Sequence, residues 1–412
     1  MKKRATALLL ALLMILPMAG CGVRAQELTK DIEPQALDTT TDLTAGGEAV
    51  TAFALSLLRS ERAATEGVLI SPVSVLNALG MVANGAGGDT LKQLETAAGM
   101  SLNQLNDFLY TYRMSLPAAC KSCTVSLANS AWVREDFRVE DDFLRSCVNY
   151  YGAEMYRSAF DGSLVTDLNR WVSKKTDGMI DRLLEQAPDV LTMLYMVNAA
   201  CFDARWDTPY TKADLRTGLP FTAANGTQQT ADYMTGTENI YLSGNNVTGF
   251  VKPYDGGKYA FVALLPDEGV TLADYLENLT GEHLYKLITD HRSADVQVSI
   301  PKFDAQSELE LEEPLKDMGI TALFNVSTAD LRGIGSAPSG NNLYVSSVLH
   351  KTYLSLDESG TRAAAATVVE AVGDALPSED VKTVTLDRPF LYMIVDTHAC
   401  VPLFMGTVTS ME

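Results

Sequence analysis

The chain has 412 residues, 47% hydrophobic and 20% charged, which is enough for a large core in one big domain or two ordinary ones. Its formal net charge of −20 argues against a nucleic-acid partner, because phosphate binding needs a basic surface. Its only histidines, His283, His291, His350 and His398, do not pair at ligand spacing, so no metal site and no other cofactor is expected.

Lys2, Lys3 and Arg4 open the chain, and residues 5–16 form an apolar run too short to span a bilayer comfortably. Met18-Ala19-Gly20-Cys21 follows. Small residues just before a cysteine resemble the lipobox of bacterial lipoproteins, in which the signal is removed and the cysteine carries lipid. Residues 1–20 are therefore expected to be a lipoprotein signal peptide, and Cys21 the point of attachment to a bacterial cell surface. A plain secretory signal is the alternative. Residues 22–47, polar and rich in Thr and Asp, with Pro34 and a Gly46-Gly47 pair, read as a flexible tether. Residues 48–412 read as one large domain.

Ala49, Phe53, Leu57 and Leu58 recur at helical spacing. After the apolar run at residues 68–70, Ser71-Pro72 places a cap residue before a proline and predicts a helix start. Val75, Leu76, Leu79 and Val82 give that helix its apolar face. Residues 84–88 (NGAGG) end it, and another helix begins at Asp89. Residues 102–116 predict a helix, 125–133 a strand, 139–151 a helix and 153–160 a strand. Residues 164–184 predict a helix carrying Trp171 and Ile180, and 193–202 a strand covered on both faces.

From Phe221 strands dominate, the clearest at residues 259–265, 295–300, 343–348, 352–356, 390–395 and 402–408, with one late helix over 312–318. Helices crowd the first half and strands the second, with no βα alternation and no repeat, which predicts the α+β class. With Cys21 set aside, Cys120, Cys123, Cys147, Cys201 and Cys400 remain, an odd number that argues against a full disulfide framework. Cys120-Lys-Ser-Cys123 has redox spacing without a βαβ pattern around it, and reads as two incidental thiols or a local disulfide.

Residues 357–376 (DESGTRAAAATVVEAVGDAL) stand apart. Four alanines suit a helix, the valines and Thr367 suit a strand, and Gly360, Gly373 and Pro377 break either. By strand parity Thr361, Ala363, Ala365, Thr367, Val369, Ala371 and Gly373 share one face, which carries no charge. Arg362, Ala364, Ala366, Val368, Glu370 and Val372 share the other. As a strand, the segment could bury its first face without stranding a charge; as a loop, it is a low-complexity surface stretch.

These pieces together resemble the serpin family from about Glu48 to Glu412. The resemblance rests on Ile70-Ser-Pro-Val-Ser74 continuing to Thr90, Leu127-Ala-Asn-Ser-Ala-Trp-Val133, Asn169-Arg-Trp-Val172, Val197-Asn-Ala-Ala-Cys-Phe202 with Trp206, Pro301-Lys-Phe303, His350-Lys351, Asp387-Arg-Pro-Phe390 and Pro402-Leu-Phe-Met-Gly406. It implies a fold with a large mixed main sheet, smaller sheets and an exposed reactive loop. It implies an inhibitor of serine proteases, with cysteine proteases as a second class, acting as a monomer. The protease cuts the loop, and the cut loop enters the main sheet as a new strand before the acyl-enzyme hydrolyses. A non-inhibitory serpin acting as a binding or carrier protein is the alternative.

The resemblance makes Glu358, Gly360, Thr361, Ala363, Ala364, Ala365, Ala366 and Thr367 the loop hinge. It makes Ser71, Ser74, Asn198 and His350 a polar cluster under the middle of the sheet, and puts Trp206 at the upper end where insertion begins. Counting fourteen residues from Gly360 gives Asp374–Ala375 as the cleaved bond, with Val372 and Gly373 as alternatives because the loop runs a few residues long. Leu376 is disfavoured by the following Pro377. Ser71 lies in a cap motif rather than a nucleophile elbow, so no enzymatic activity is expected. Helix 102–116 carries only Arg113 as a basic residue, so no heparin-type activation is expected either.

Overall fold

The computed structural model describes residues 25–38, 41–60, 63–116, 123–188, 192–337, 340, 342–361 and 381–411. Cys21, and the reactive loop with its candidate bond, from Arg362 through Ala363–Thr367 to Asp374–Ala375, lie outside the described residues.

The described chain enters on β1 (Gln26–Glu27) and reaches α1 (Leu43–Ser60) and α2 (Ala63–Glu66). Then come β2 (Leu69–Ile70), α3 (Pro72–Ala83), α4 (Gly88–Ala98) and α5 (Leu102–Ser115). The Ser71-Pro72 start of α3 is as expected, although the Ser71 side chain makes no capping bond. Strands β3 (Cys123–Arg134), β4 (Arg138–Val139) and β5 (Glu154–Ser158) alternate with α6 (Asp141–Tyr151) and α7 (Gly162–Lys175).

α7 stops nine residues short of the expected end at Leu184. Asp177 (φ 48°) and Gly178 (φ 73°) take left-handed backbone, and the Thr176 hydroxyl accepts the Ile180 amide at 3.1 Å. Ile180 and Leu184 still pack on the sheet from outside the helix, held by Asn169 Oδ1, which accepts the Leu183 and Leu184 amides.

The second half holds β6 (Leu194–Arg205), β7 (Leu215–Thr222), β8 (Gln228–Gly244), β9 (Val247–Pro253) and β10 (Tyr259–Pro266). Next are α8 (Leu272–Asn278), α9 (Gly281–Thr289), β11 (Arg292–Pro301), β12 (Phe303–Glu310), α10 (Glu312–Asp317) and β13 (Gly335–Ser336). The chain closes with β14 (Val348–Asp357), β15 (Gly360–Thr361), β16 (Lys382–Thr385), β17 (Phe390–Asp396) and β18 (Val401–Val408). The strand expected at residues 343–348 is absent: Val345 donates to the Leu323 carbonyl instead of joining a ladder, and β14 starts at Val348.

Among the described residues the main sheet has seven strands in the order β1-β5-β3-β6-β15-β14-β12. A nine-stranded sheet runs β16-β11-β8-β9-β10-β17-β18-β2 with β7 on β8, and β4 pairs β13. Both faces of β6 are buried. One packs with α3 and the main core, the other against α7 through Leu164, Leu168, Trp171 and Val172.

The free tether expected over residues 22–47 is corrected by the structure, because the chain is built into the body from Ala25. β1 extends the main sheet at its edge, and Thr29 is buried with its hydroxyl accepting the Met155 amide at 3.1 Å. Backbone hydrogen bonding seats a segment whose composition looks solvated. Cys123 is disulfide-bonded.

Candidate functional site

Two parallel strands define the site. β6 and β14 pair directly from Met196–Val348 to Cys201–Tyr353. Above that level they part, and β15 occupies the gap, antiparallel to both: Gly360 pairs with Arg205 and Asp357, and Thr361 with Ala204 and Leu356. β14 and β15 thus form a hairpin turning at Glu358-Ser359, so the first hinge residues already lie inside the sheet.

The turn is held on every side. Asp357 Oδ1 accepts the Ser359 amide at 2.7 Å and the Gly360 amide at 3.3 Å. The Trp206 amide donates to the Ser359 carbonyl, and the Tyr210 amide to the Glu358 carbonyl, at 3.0 and 2.9 Å. Trp206 Nε1 donates to the Asp357 carbonyl at 2.9 Å. Gly360 is required by shape. Its φ is +151°, and a Cβ there would lie 2.1 Å from the Ala204 carbonyl oxygen. Lys302 Nζ sits 2.5 Å from Glu358 Oε2 and holds that carboxyl below its usual range through the hydrogen bond. The pair is partly exposed, so it contributes under about 1 kcal/mol.

Thr361 is fully buried, and its hydroxyl shares a 2.6 Å hydrogen bond with the Tyr254 hydroxyl. Tyr254 stacks on Trp206 with ring centroids 4.4 Å apart and meets Phe202 edge-on at 5.0 Å. Beneath Trp206 lies an ion pair that sequence reasoning missed. Lys252 Nζ, on a side chain only 2% exposed, is 2.7 Å from Glu238 Oε1. It also donates to the Thr208 carbonyl and lies 4.4 Å from the Tyr210 ring centroid and 5.2 Å from that of Trp206. Burial pushes the Glu238 carboxyl up despite its partner.

Lower down, the structure brings Ser71, Ser74, Asn198 and His350 together, all buried. His350 and Asn198 are register partners across β14 and β6, and Asn198 and Asn129 across β6 and β3. The Ser71 amide donates to His350 Nε2 at 3.0 Å, so Nε2 is the acceptor and Nδ1 carries the proton. That Nδ1–H donates to Asn198 Oδ1 at 3.2 Å, where the Ser74 hydroxyl also donates. Asn198 Nδ2 donates to the Ser74 carbonyl at 2.7 Å and to Asn129 Oδ1 at 2.6 Å. His350 is therefore neutral, and burial holds its imidazole down to about 3.

The cluster is not arranged for nucleophilic catalysis. His350 Nε2 is occupied by the Ser71 amide rather than the Ser71 hydroxyl, and that hydroxyl has no partner among the described residues. Asn129, Tyr254, Lys252 and Glu238 are functional-site neighbours missed from sequence. Only Asn129 left a usable signal, since it sits in the predicted strand over residues 125–133 at the register of Asn198.

A seven-stranded sheet parted at one end, with the start of a loop wedged into the opening, defines a fold able to take up a further strand. The chain matches the family described as Serpin (serine protease inhibitor) over residues 48–411. It is 32% identical to iripin-5 of Ixodes ricinus over 368 residues, covering 86% of this chain and 92% of that protein. It is 31% identical to human serpin B9 over 372 residues, covering 87% and 97%. The native-state crystal structure of the thermophilic serpin tengpin superposes with a TM-score of 0.89 at 39% identity, covering 94% of this chain and all of that one. The chain belongs to the serpin family.

Proposed function

We propose that the protein is an irreversible suicide-substrate inhibitor of serine endopeptidases, with cysteine endopeptidases as the second target class, and that it is not itself an enzyme. The observation that carries this is the wedge, because Gly360 and Thr361 already pair with both β6 and β14. Continued in the same register, the loop brings Ala363 opposite Phe202 and Leu354, Ala365 opposite Ala200 and Thr352, and Thr367 opposite Asn198 and His350. Small or hydroxylated side chains thus enter on the buried face that Thr361 already uses.

Insertion exchanges the direct pairing of β6 and β14 for two new ladders, a net gain of one strand. At roughly 1 kcal/mol net per backbone hydrogen bond, that is on the order of 10 kcal/mol. The uncut form is therefore metastable, and cleavage releases it. Serpin loop insertion is a known case of strand addition to a sheet.

Cleavage is assigned to Asp374–Ala375, with Val372 and Gly373 as the neighbouring choices. Attachment is assigned to a lipid on Cys21. Among the described residues no helix is long and apolar enough to cross a membrane.

The test is incubation with a panel of serine and cysteine proteases. A covalent complex surviving boiling in detergent is expected, together with a released peptide whose mass corresponds to residues 375–412. Cleavage by many proteases without any trapped complex would overturn the inhibitory reading.

A further inference from the structure

The N-terminal segment fixes where an anchor lies relative to the loop. β3 runs from Cys123, opposite Ala204 at the wedge, to Val133, opposite Leu194 at the far end. β5 runs parallel to β3, and β1 antiparallel to β5, so the chain before Ala25 leaves the body at the pole opposite the wedge. Gln26 is level with Arg157, and through it with Val133 and Leu194.

Cys21 is four residues before Ala25, a reach of at most about 14 Å. In the register set by β15, full insertion brings Ala371 level with Leu194, and so with Gln26. Asp374 then emerges about 10 Å beyond that level, four strand spacings or about 19 Å to the side. An acyl-linked protease of ordinary size, about 40 Å across, would occupy the pole that a bilayer held at Cys21 must also face.

The segment between is docked by a short series of contacts that include few buried side chains. The Ala25 amide donates to Asp167 Oδ2 on α7 at 2.9 Å, and the Leu28 amide to the Met155 carbonyl at 2.7 Å. Further on, the Gln35 amide donates to Asn149 Oδ1 at 2.9 Å and the Leu37 amide to the Tyr110 hydroxyl at 3.0 Å. Released, residues 25–38 would add up to about 45 Å of reach, enough for the protease.

We propose that residues 25–38 are a releasable spacer. Docked, they hold the body close to a lipid surface with the reactive loop facing away; peeled off, they make room for the trapped protease at the pole facing that surface. The proposal rests on the inhibitory reading and on attachment at Cys21.

The test locks the spacer with Q26C and R157C, register partners whose side chains already meet at 3.3 Å. Chains carrying hexahistidine in place of residues 1–21 are assayed free in solution and on phosphatidylcholine vesicles with nickel-chelating lipid. The readout is the number of inhibitor molecules consumed per protease trapped. In solution the oxidised variant is expected to match wild type within twofold. On vesicles wild type is expected to be unchanged, while the locked variant needs at least fivefold more and accumulates as cleaved, untrapped chain until a reductant restores it. Equal trapping by locked and wild-type chains on vesicles would overturn the spacer, as would loss of trapping by the locked chain in solution. Wild type failing to trap in solution would instead overturn the inhibitory reading beneath it, and mass spectrometry of the native N-terminus separately decides the lipid on Cys21.

Discussion

Thr361→Arg is expected to turn the inhibitor into a plain substrate. Thr361 is fully buried between β6 and β14, and among the described residues its side chain's hydrogen-bond partner is the Tyr254 hydroxyl, itself fully buried. A guanidinium there would replace a hydroxyl in a fully buried position, and an uncompensated buried charge costs several kcal/mol. The same side chain that unseats the wedge in the uncut protein also blocks the first step of insertion after the cut. Deacylation then wins the race. Mixed with a target protease, the variant should be cleaved at the wild-type bond and release active enzyme, with a covalent complex reduced at least tenfold on a denaturing gel. Trapping at the wild-type level would show that insertion does not depend on the buried face that Thr361 occupies. Arg362 provides the internal contrast, because by parity its charge stays on the other face.

The second large effect is acid sensitivity centred on His350. Its imidazole is held neutral by burial, with a value near 3 against the ordinary 6.5. Above pH 6.5 neither folded nor unfolded chain carries the proton, and His350 adds no pH dependence. Below it the unfolded chain binds a proton that the folded chain refuses until about pH 3. Stability therefore falls by about 1.4 kcal/mol per pH unit across that window. Between pH 7 and pH 5 the loss is about 2 kcal/mol. The other three histidines are exposed. Denaturant unfolding at the two pH values should show this difference in the wild type and lose about 2 kcal/mol of it in His350→Gln, whatever the variant's stability at pH 7. An unchanged difference would mean that His350 is protonated in the fold.

The sequence was most legible where one strong local cue coincided with burial. Ser71-Pro72 marks the start of α3, which carries Ser74 to Asn198. The continuous apolar run at β6 announces a strand covered on both sides, and it is. The parity of Thr361 was readable because a charge-free face in an alanine-rich segment is rare, and the buried Thr361 falls on that face.

What was lost lay in elements whose stabilising contacts are distant. β8 is long and only three of its 17 residues are buried, so no apolar face announces it, and with it went Glu238 and its buried pairing with Lys252 on β9. Helices α8 and α9 are short, but Thr271 and Thr280 cap them by accepting the Asp274 and His283 amides, a signal present in the sequence and not used. The Asp177-Gly178 pair that ends α7 was equally visible. Residues 25–38 could not have been read, since what seats them is backbone pairing with β5, formed by a stretch over a hundred residues away.

The sulfurs of Cys147, Cys201 and Cys400 stand at different depths, and this gives the molecule a chemical clock. Cys400, half-buried in left-handed backbone, is within reach of a small thiol reagent. Cys147 is sealed between helix and core, and burial pushes its thiol far up, so that it reacts only when the fold is lost. Cys201 belongs to neither limit. It is buried on β6 opposite Tyr353, the last pair joining the two strands before they diverge, and so sits at the tooth of the zip. The order in which a reagent consumes these sulfurs separates a surface event, a passing parting of the sheet and complete unfolding, with no label added to the protein.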